Sequence, residues 1–245
     1  MTKTVFRAVA LAACAVLSMA AAPKGTAPRK GLPAASTNWA AATAVTADGS
    51  HRLGNPDAPL KLVEYVSYTC PHCAHFHKEA DPVLRLTMVP KGQISVTVTN
   101  FLRNPIDLTV AMLTNCGDPK RFFVRHNAFF ASQDKWLAKA EATNREQQQR
   151  WYQGDFPARM RAMASDLGFY DQTASWGLSR AQTDQCFANT AMLDKLKGQQ
   201  GEVQALGLQG TPSFTLNGDL LDGHDWATVS KAITDKQAQQ RAGNI

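Results

Sequence analysis

The stretch from Leu60 to Cys73 constrains this chain more than any other. Leu60 to Val66 (LKLVEYV) is a short β-rich apolar run bounded by Pro59 and Ser67, which reads as a strand. Cys70-Pro71-His72-Cys73 then opens a helix, because proline is preorganised for a first helical turn and lacks the amide that would go unpaired there. Pro82 kinks or splits that helix, and Val83 to Val89 continue it. Gln93 to Phe101 (QISVTVTNF) alternates apolar and polar residues and reads as a second strand. Ile106 to about Leu206 has helical spacing, with Gly117, Gly168 and Gly177 at cap positions. Ser213 to Leu216 returns to strand, Asn217-Gly218 signals a hairpin turn, Leu220-Leu221 is the partner strand, and a last helix runs from Asp225 toward Gln240. The order predicts an α/β sheet interrupted by helices. A sheet domain made of residues 51–104 and 207–241 would enclose a helical insertion at 105–206.

Composition narrows the function classes. The 245 residues are 44% apolar and 19% charged, enough for a real core. The formal charge of +6 is concentrated in residues 1–50, where Lys3, Arg7, Lys24, Arg29 and Lys30 face Asp48 alone, leaving 21 bases against 19 acids, or +2, for the rest. A body so close to neutral has no electrostatic footprint for nucleic acid. Residues 1–20 read as an export signal, with a basic start, an apolar run from Ala8 to Leu17, and Ser18-Met19-Ala20 before the cut. A second reading takes Leu11-Ala12-Ala13-Cys14 as a lipobox that would leave Cys14 lipidated. Either way the destination is outside the cytoplasm, where disulfides persist. Residues 21–50, rich in alanine and proline, read as a disordered linker, with ordered structure from about His51.

The chemistry lies in Cys70-Pro71-His72-Cys73. Cysteines three apart can close a small disulfide, and a helix N-terminus stabilises negative charge on the first sulfur. His72 adds a positive or hydrogen-bonding neighbour. A thiolate so placed can have its pKa lowered from about 8.5 to between roughly 3.5 and 7.5, and stabilising it makes the disulfide a stronger oxidant. The competing reading, half of a zinc site, lacks a second C-x-x-C.

The chain resembles the thioredoxin-fold thiol oxidoreductases of the DsbA type. The matching residues are Val63-Glu64-Tyr65 leading into Cys70-Pro71-His72-Cys73, then Phe76-His77, and Gly210-Thr211-Pro212-Ser213-Phe214 followed by Asn217-Gly218. The resemblance spans roughly residues 51–240. It implies a thioredoxin-like fold with an inserted helical domain and dithiol oxidation of exported proteins, with no cofactor and no metal. It also implies a cis Thr211-Pro212 bond facing the disulfide, with both residues shaping a peptide groove. Cys70 would be the exposed sulfur that joins substrate, and Cys73 the buried resolving partner. The partners it implies are reduced or unfolded exported proteins and a membrane-bound, quinone-linked thiol oxidant. Residues 21–50 are too few and too polar for a dimerisation domain, which favours a monomer.

Glu64, six residues before Cys70, is either a strand-end carboxylate reaching solvent or, as the family's acid at this spacing implies, a proton acceptor for Cys73. The family often pairs that acid with a lysine on the next strand, and Ile94 to Thr99 contains none. With Cys70 and Cys73 assigned to the active site, Cys116 and Cys186 remain and are expected to form a structural disulfide in an oxidising compartment, the competing reading being two buried free thiols. His72, His75 and His77 with the two active-site cysteines could also hold a soft metal such as Cu(I), as in a metallochaperone. His75 and His77, however, point roughly 200° apart on a helix, so solvated histidines are the better reading. His126 and His224 stand alone in the sequence, and Phe122, Phe123, Phe129 and Phe130 read as core of the insertion. A disulfide reductase or isomerase of the same fold is the closest alternative function.

Overall fold

The computed structural model describes residues 38–243. The export signal, Cys14 and most of the expected linker lie outside the described residues. Six strands form one mixed sheet: β1 (Thr43–Val45), β2 (His51–Gly54), β3 (Leu60–Val66), β4 (Ile94–Asn100), β5 (Ser213–Leu216) and β6 (Asp219–Leu220), in the spatial order β1-β2-β4-β3-β5-β6. β3 and β4 are parallel, joined by a crossover through α1 (Pro71–Val83), and every other pairing is antiparallel.

Two expectations are corrected at the start of the chain. Ordered structure begins before His51, since Trp39–Ala41 forms a helical turn and Thr43–Val45 pairs with His51–Gly54. The linker assigned to 21–50 therefore ends by residue 38. The strand pair escaped notice because TAV and HRLG are short and carry no alternation, and His51 is buried against Phe122, with ring centroids 3.7 Å apart.

Between β4 and β5 run eight helices: α2 (Pro105–Thr114), α3 (Phe122–Ala131), α4 (Gln133–Glu141), α5 (Arg145–Arg150), α6 (Phe156–Asp166), α7 (Phe169–Ala174), α8 (Arg180–Phe187) and α9 (Thr190–Ala205). After β6 comes α10 (Trp226–Ala242), capped by Asp225. Asn217 and Gly218, at φ of 56° and 90°, make the left-handed turn that a two-residue hairpin needs. Past Pro82 the α1 ladder widens to a π-helical turn over Leu84–Met88, so the helical path continues beyond the proline. Among the described residues no helix is long and apolar enough to cross a membrane.

The period of two along β3 decides what each face buries. Leu60, Leu62 and Val66 join Phe76 and Ala80 of α1, Phe214 and Leu216 of β5, and Val229 and Ile233 of α10 in one core. Phe122, Phe123, Phe129 and Phe130 belong to the same core, so the insertion and the sheet share it. Tyr65, on the opposite face, packs with Val203 and Leu208 at the end of α9.

Candidate active site

The β3–α1 junction sets the two cysteines. Cys70 is the N-cap of α1, in an extended conformation, and its amide donates to Ser67 O at 3.2 Å, turning the chain from strand to helix. Cys73 lies one turn further on, among the core residues. Both are free thiols. Cys70 is only 2% exposed and Cys73 0%, which corrects the expectation of an open Cys70 sulfur. The covering element is the Thr211-Pro212 peptide, which is cis and accepts a hydrogen bond from Cys70 Sγ at Thr211 O, 3.1 Å away. Gln133 braces the other side, donating from Nε2 to Tyr68 O (2.7 Å) and Cys70 O (2.9 Å).

The two sulfurs differ sharply in their charge preference. The Cys73 thiol beside Cys70 pulls the Cys70 pKa down, to about 5. Burial opposes this shift, while Thr211 and the backbone amides of Cys73 and His72 add to it. The first-turn amides are the helix N-terminus acting at short range. His72 contributes its backbone N–H to this set, and its side chain is exposed beside Cys70 in the sequence. Cys73 is pushed well above its ordinary value by burial, by its bond to Cys70 and, further, by the nearby Glu64 carboxylate.

Glu64 is 4% exposed and its Oε1 has no hydrogen-bond partner among the described residues, so it does not reach solvent as a strand-end carboxylate. Burial, aided by Asp81, pushes its pKa up to about 8. Where a lysine was looked for on β4, its register partner is Val98.

Several residues that sequence reasoning passed over hold this site together. Asp107 accepts from the Thr69 amide (2.8 Å), the Arg103 amide (2.9 Å) and Ser67 Oγ (3.0 and 2.9 Å), tying the loop before Cys70 to the loop after β4. Burial pushes the Asp107 carboxyl up, against the pull of those donors. The sequence did carry a signal for it, because Asn104-Pro105 with Asp107 in the first turn is a helix-start pattern, and Asn104 accepts from the Asp107 amide. His224 donates from Nδ1 to Pro212 O at 2.6 Å, and Arg103 Nη1 reaches Thr211 Oγ1 at 3.5 Å. His126 is buried, with Nδ1 2.9 Å from Tyr68 Oη. Neither His126 nor His224 is therefore the isolated residue it seemed.

The α1 histidines separate as the helix geometry requires. His75 is exposed and pairs with Glu79 at 3.4 Å. His77 turns inward, stacked on Phe130 at 5.3 Å with its edge toward His126 at 5.2 Å, so the reading of it as solvated is corrected. Among the described residues no group of three or more His, Cys, Asp or Glu is arranged to hold a metal ion. Away from the site, a disulfide joins Cys116, just past α2, to Cys186 in α8, with Cα atoms 5.6 Å apart.

A family model described as thioredoxin matches residues 46–235. The chain belongs to the thioredoxin family. Among solved structures, this thioredoxin-family chain is 47% identical to a protein-disulfide isomerase from Novosphingobium aromaticivorans, with a TM-score of 0.74 over 78% of this chain and 98% of that one. It shares its fold with Wolbachia pipientis α-DsbA1, at 22% identity and a TM-score of 0.62 over 80% of this chain and 94% of that one. A Rickettsia conorii protein provisionally named protein-disulfide oxidoreductase is 29% identical over 79% of this chain and 62% of its own length. The chain thus spans about three fifths of the length of the curated relatives it matches.

Proposed function

We propose that this chain is a thiol-disulfide oxidoreductase of the DsbA type, a dithiol oxidase that introduces disulfides into reduced exported proteins. The observation that carries the reading is the asymmetry of the two sulfurs, one lowered to about 5 and the other raised well above the ordinary thiol value. A protein whose dithiol form is stabilised by a thiolate gives up its disulfide readily and so oxidises others.

In the cycle, a substrate thiolate attacks Cys70 Sγ, the Cys70–Cys73 bond breaks, and Cys73 takes up a proton from Glu64. A second substrate thiolate attacks the substrate sulfur of the mixed disulfide, and Cys70 leaves as a thiolate. Two electrons pass to the protein, and a membrane-bound thiol oxidant linked to quinone would remove them. The backbone amides of His72 and Cys73 point at Cys70, Pro71 starts the helical turn that aims them, and Thr211 and Pro212 shape the groove in which the substrate lies. The protein would act as a monomer in the periplasm, soluble after removal of residues 1–20, and would need no cofactor.

Equilibration with glutathione gives the reduction potential that tests the direction. An oxidase should lie at about −180 mV or above, and a value near −270 mV belongs to a reductase. An isomerase is the second reading, favoured by the 47% identity to a structure bearing that name. Recovery of a scrambled disulfide protein, without added oxidant, would favour it.

A further inference from the structure

Between α1, the sheet and α3 lies a small cavity. Glu64 of β3, Phe76, His77 and Asp81 of α1, Arg85 of the π-turn and His126 of α3 line it. It has about 20 Å³ in which the centre of a water can sit, enough for one such molecule. The unpartnered Oε1 of Glu64 belongs to this lining, and a buried acceptor left without a donor is costly, so a water bonded to it satisfies both conditions.

The reaction requires that a proton reach Cys73 in one half of the cycle and leave it in the other. Glu64 can exchange it with Cys73, but Glu64 is 4% exposed and Val98 stands opposite it on β4, so the carboxyl needs a further carrier. Asp81 and Arg85 form an ion pair (3.6 Å) at the outer rim, with side chains about 30% exposed. Of the two histidines in the lining, His126 is 2% exposed and its Nδ1 is engaged by Tyr68, whereas His77 is only half-buried and its ring has no hydrogen-bond partner among the described residues. Resting on the oxidoreductase reading above, we propose that His77 passes the proton between Glu64 and solvent through this cavity, as a relay residue acting through Glu64. Besides Glu64 and His77, the charged and titratable groups lining this route are Asp81, Arg85 and His126, and Cys73 and Tyr68 feel the charge of Glu64 from beyond the lining. Burial lowers the pKa of His77, so the ring is mainly neutral near pH 7 and can accept on one nitrogen while donating from the other.

The decisive step can be isolated. Reduced protein mixed with oxidised glutathione forms a Cys70–glutathione disulfide. The Cys73 sulfur then attacks Cys70 Sγ, glutathione leaves as the thiolate, and the Cys73 proton goes to Glu64. The decay of that mixed disulfide, followed by quenched-flow mass spectrometry, is expected to slow about tenfold at pH 7 in His77→Gln, less than the roughly 10²–10⁴ of a direct acid–base group because His77 acts through Glu64. Glu64→Gln should be at least as slow, and the double variant no slower than Glu64→Gln alone, because the two act in series. External imidazole should restore the rate in His77→Ala, while the Cys70 thiolate titration in His77→Gln stays as in the wild type. A His77→Gln rate within twofold of wild type, or losses that multiply, overturns the relay. If His77→Gln does not fold, His77→Asn takes its place with the same thresholds. A wild type that never resolves the mixed disulfide breaks the oxidoreductase reading itself. A wild type that resolves it while His77→Gln keeps pace breaks only the relay.

Discussion

The chain holds two cysteine pairs in opposite electrical settings. Cys70 and Cys73 sit at the N-terminal end of α1, where unpaired amides point at the first sulfur, and both are thiols. Cys116 follows the C-terminal end of α2, Cys186 lies in the last turn of α8, and the two are joined. The helix dipole favours an anion at the first position and opposes it at the second. The same element thus serves both pairs, and the end of the helix decides whether sulfur stays reactive. Sequence separation reinforces the contrast, since residues three apart close a small ring while residues 70 apart staple a large loop.

Exchanging the roles of the pairs should fail by the widest margin. Cys70→Ser should reduce oxidation of a model dithiol peptide by a factor on the order of 10³ or more, whereas Cys116→Ala should leave that rate within about threefold. Conversely, denaturant unfolding of Cys116→Ala should show a loss of up to about 4 kcal/mol, the chain-entropy figure for a loop of this length. An equal effect of both variants on both assays would erase the distinction.

The electrostatic half of the contrast is sharpened by pH. The folded-state pKa of Cys70 lies near 5, below that of an unfolded thiol, so its contribution to the reduced form is fully present above the unfolded value and lost as pH falls through 5. The reduced protein, with Cys116–Cys186 kept intact, should therefore melt above the oxidised one at pH 8. Allowing for solvent screening near the site, the gap is about 2 kcal/mol, and it should close toward pH 4. Glu64 has the opposite sign, because its pKa is raised to about 8 and its protonated form is the one the fold favours. Stability is lost as pH rises from the ordinary carboxyl range through 8, so Glu64→Gln should stabilise the protein at pH 8 by on the order of 2 kcal/mol and make no difference at pH 4. The smallest effect is expected of Thr211→Val, which keeps the Thr211 O that accepts from Cys70 Sγ but loses the side-chain hydroxyl that helps lower the Cys70 pKa, and should raise that pKa by about half a unit in a thiolate absorbance titration.

The sheet core and the cysteine motif were legible because they depend on neighbours in sequence. β3, α1, β4 and β5 follow from period, proline placement and a two-residue turn, and Asp225 announces α10. The burial of Glu64 was also readable in principle, since it shares a face with Leu62 and Val66. Helical geometry correctly said that His75 and His77 diverge, but not which one turns inward, because that depends on α3 bringing Phe130 and His126 against it. The cover over Cys70 comes from residues 141 positions away, and spacing near the motif carries no trace of it. β1 and β2 are hidden for another reason, as strands of three and four residues hold too few positions to display alternation.

Sheet order has a consequence for when this chain becomes reactive. β3 and β4 are joined through α1 alone, whereas β5 lies beside β3 across the 112 residues that follow β4. Until β5 is in place Cys70 lacks Thr211 over its sulfur, and a chain still unfolded has neither the helix amides nor Cys73 in place, so its cysteines are ordinary thiols. The surroundings of the sulfur are thus complete only when a contact 141 positions long in sequence is made, and the insertion sets that length.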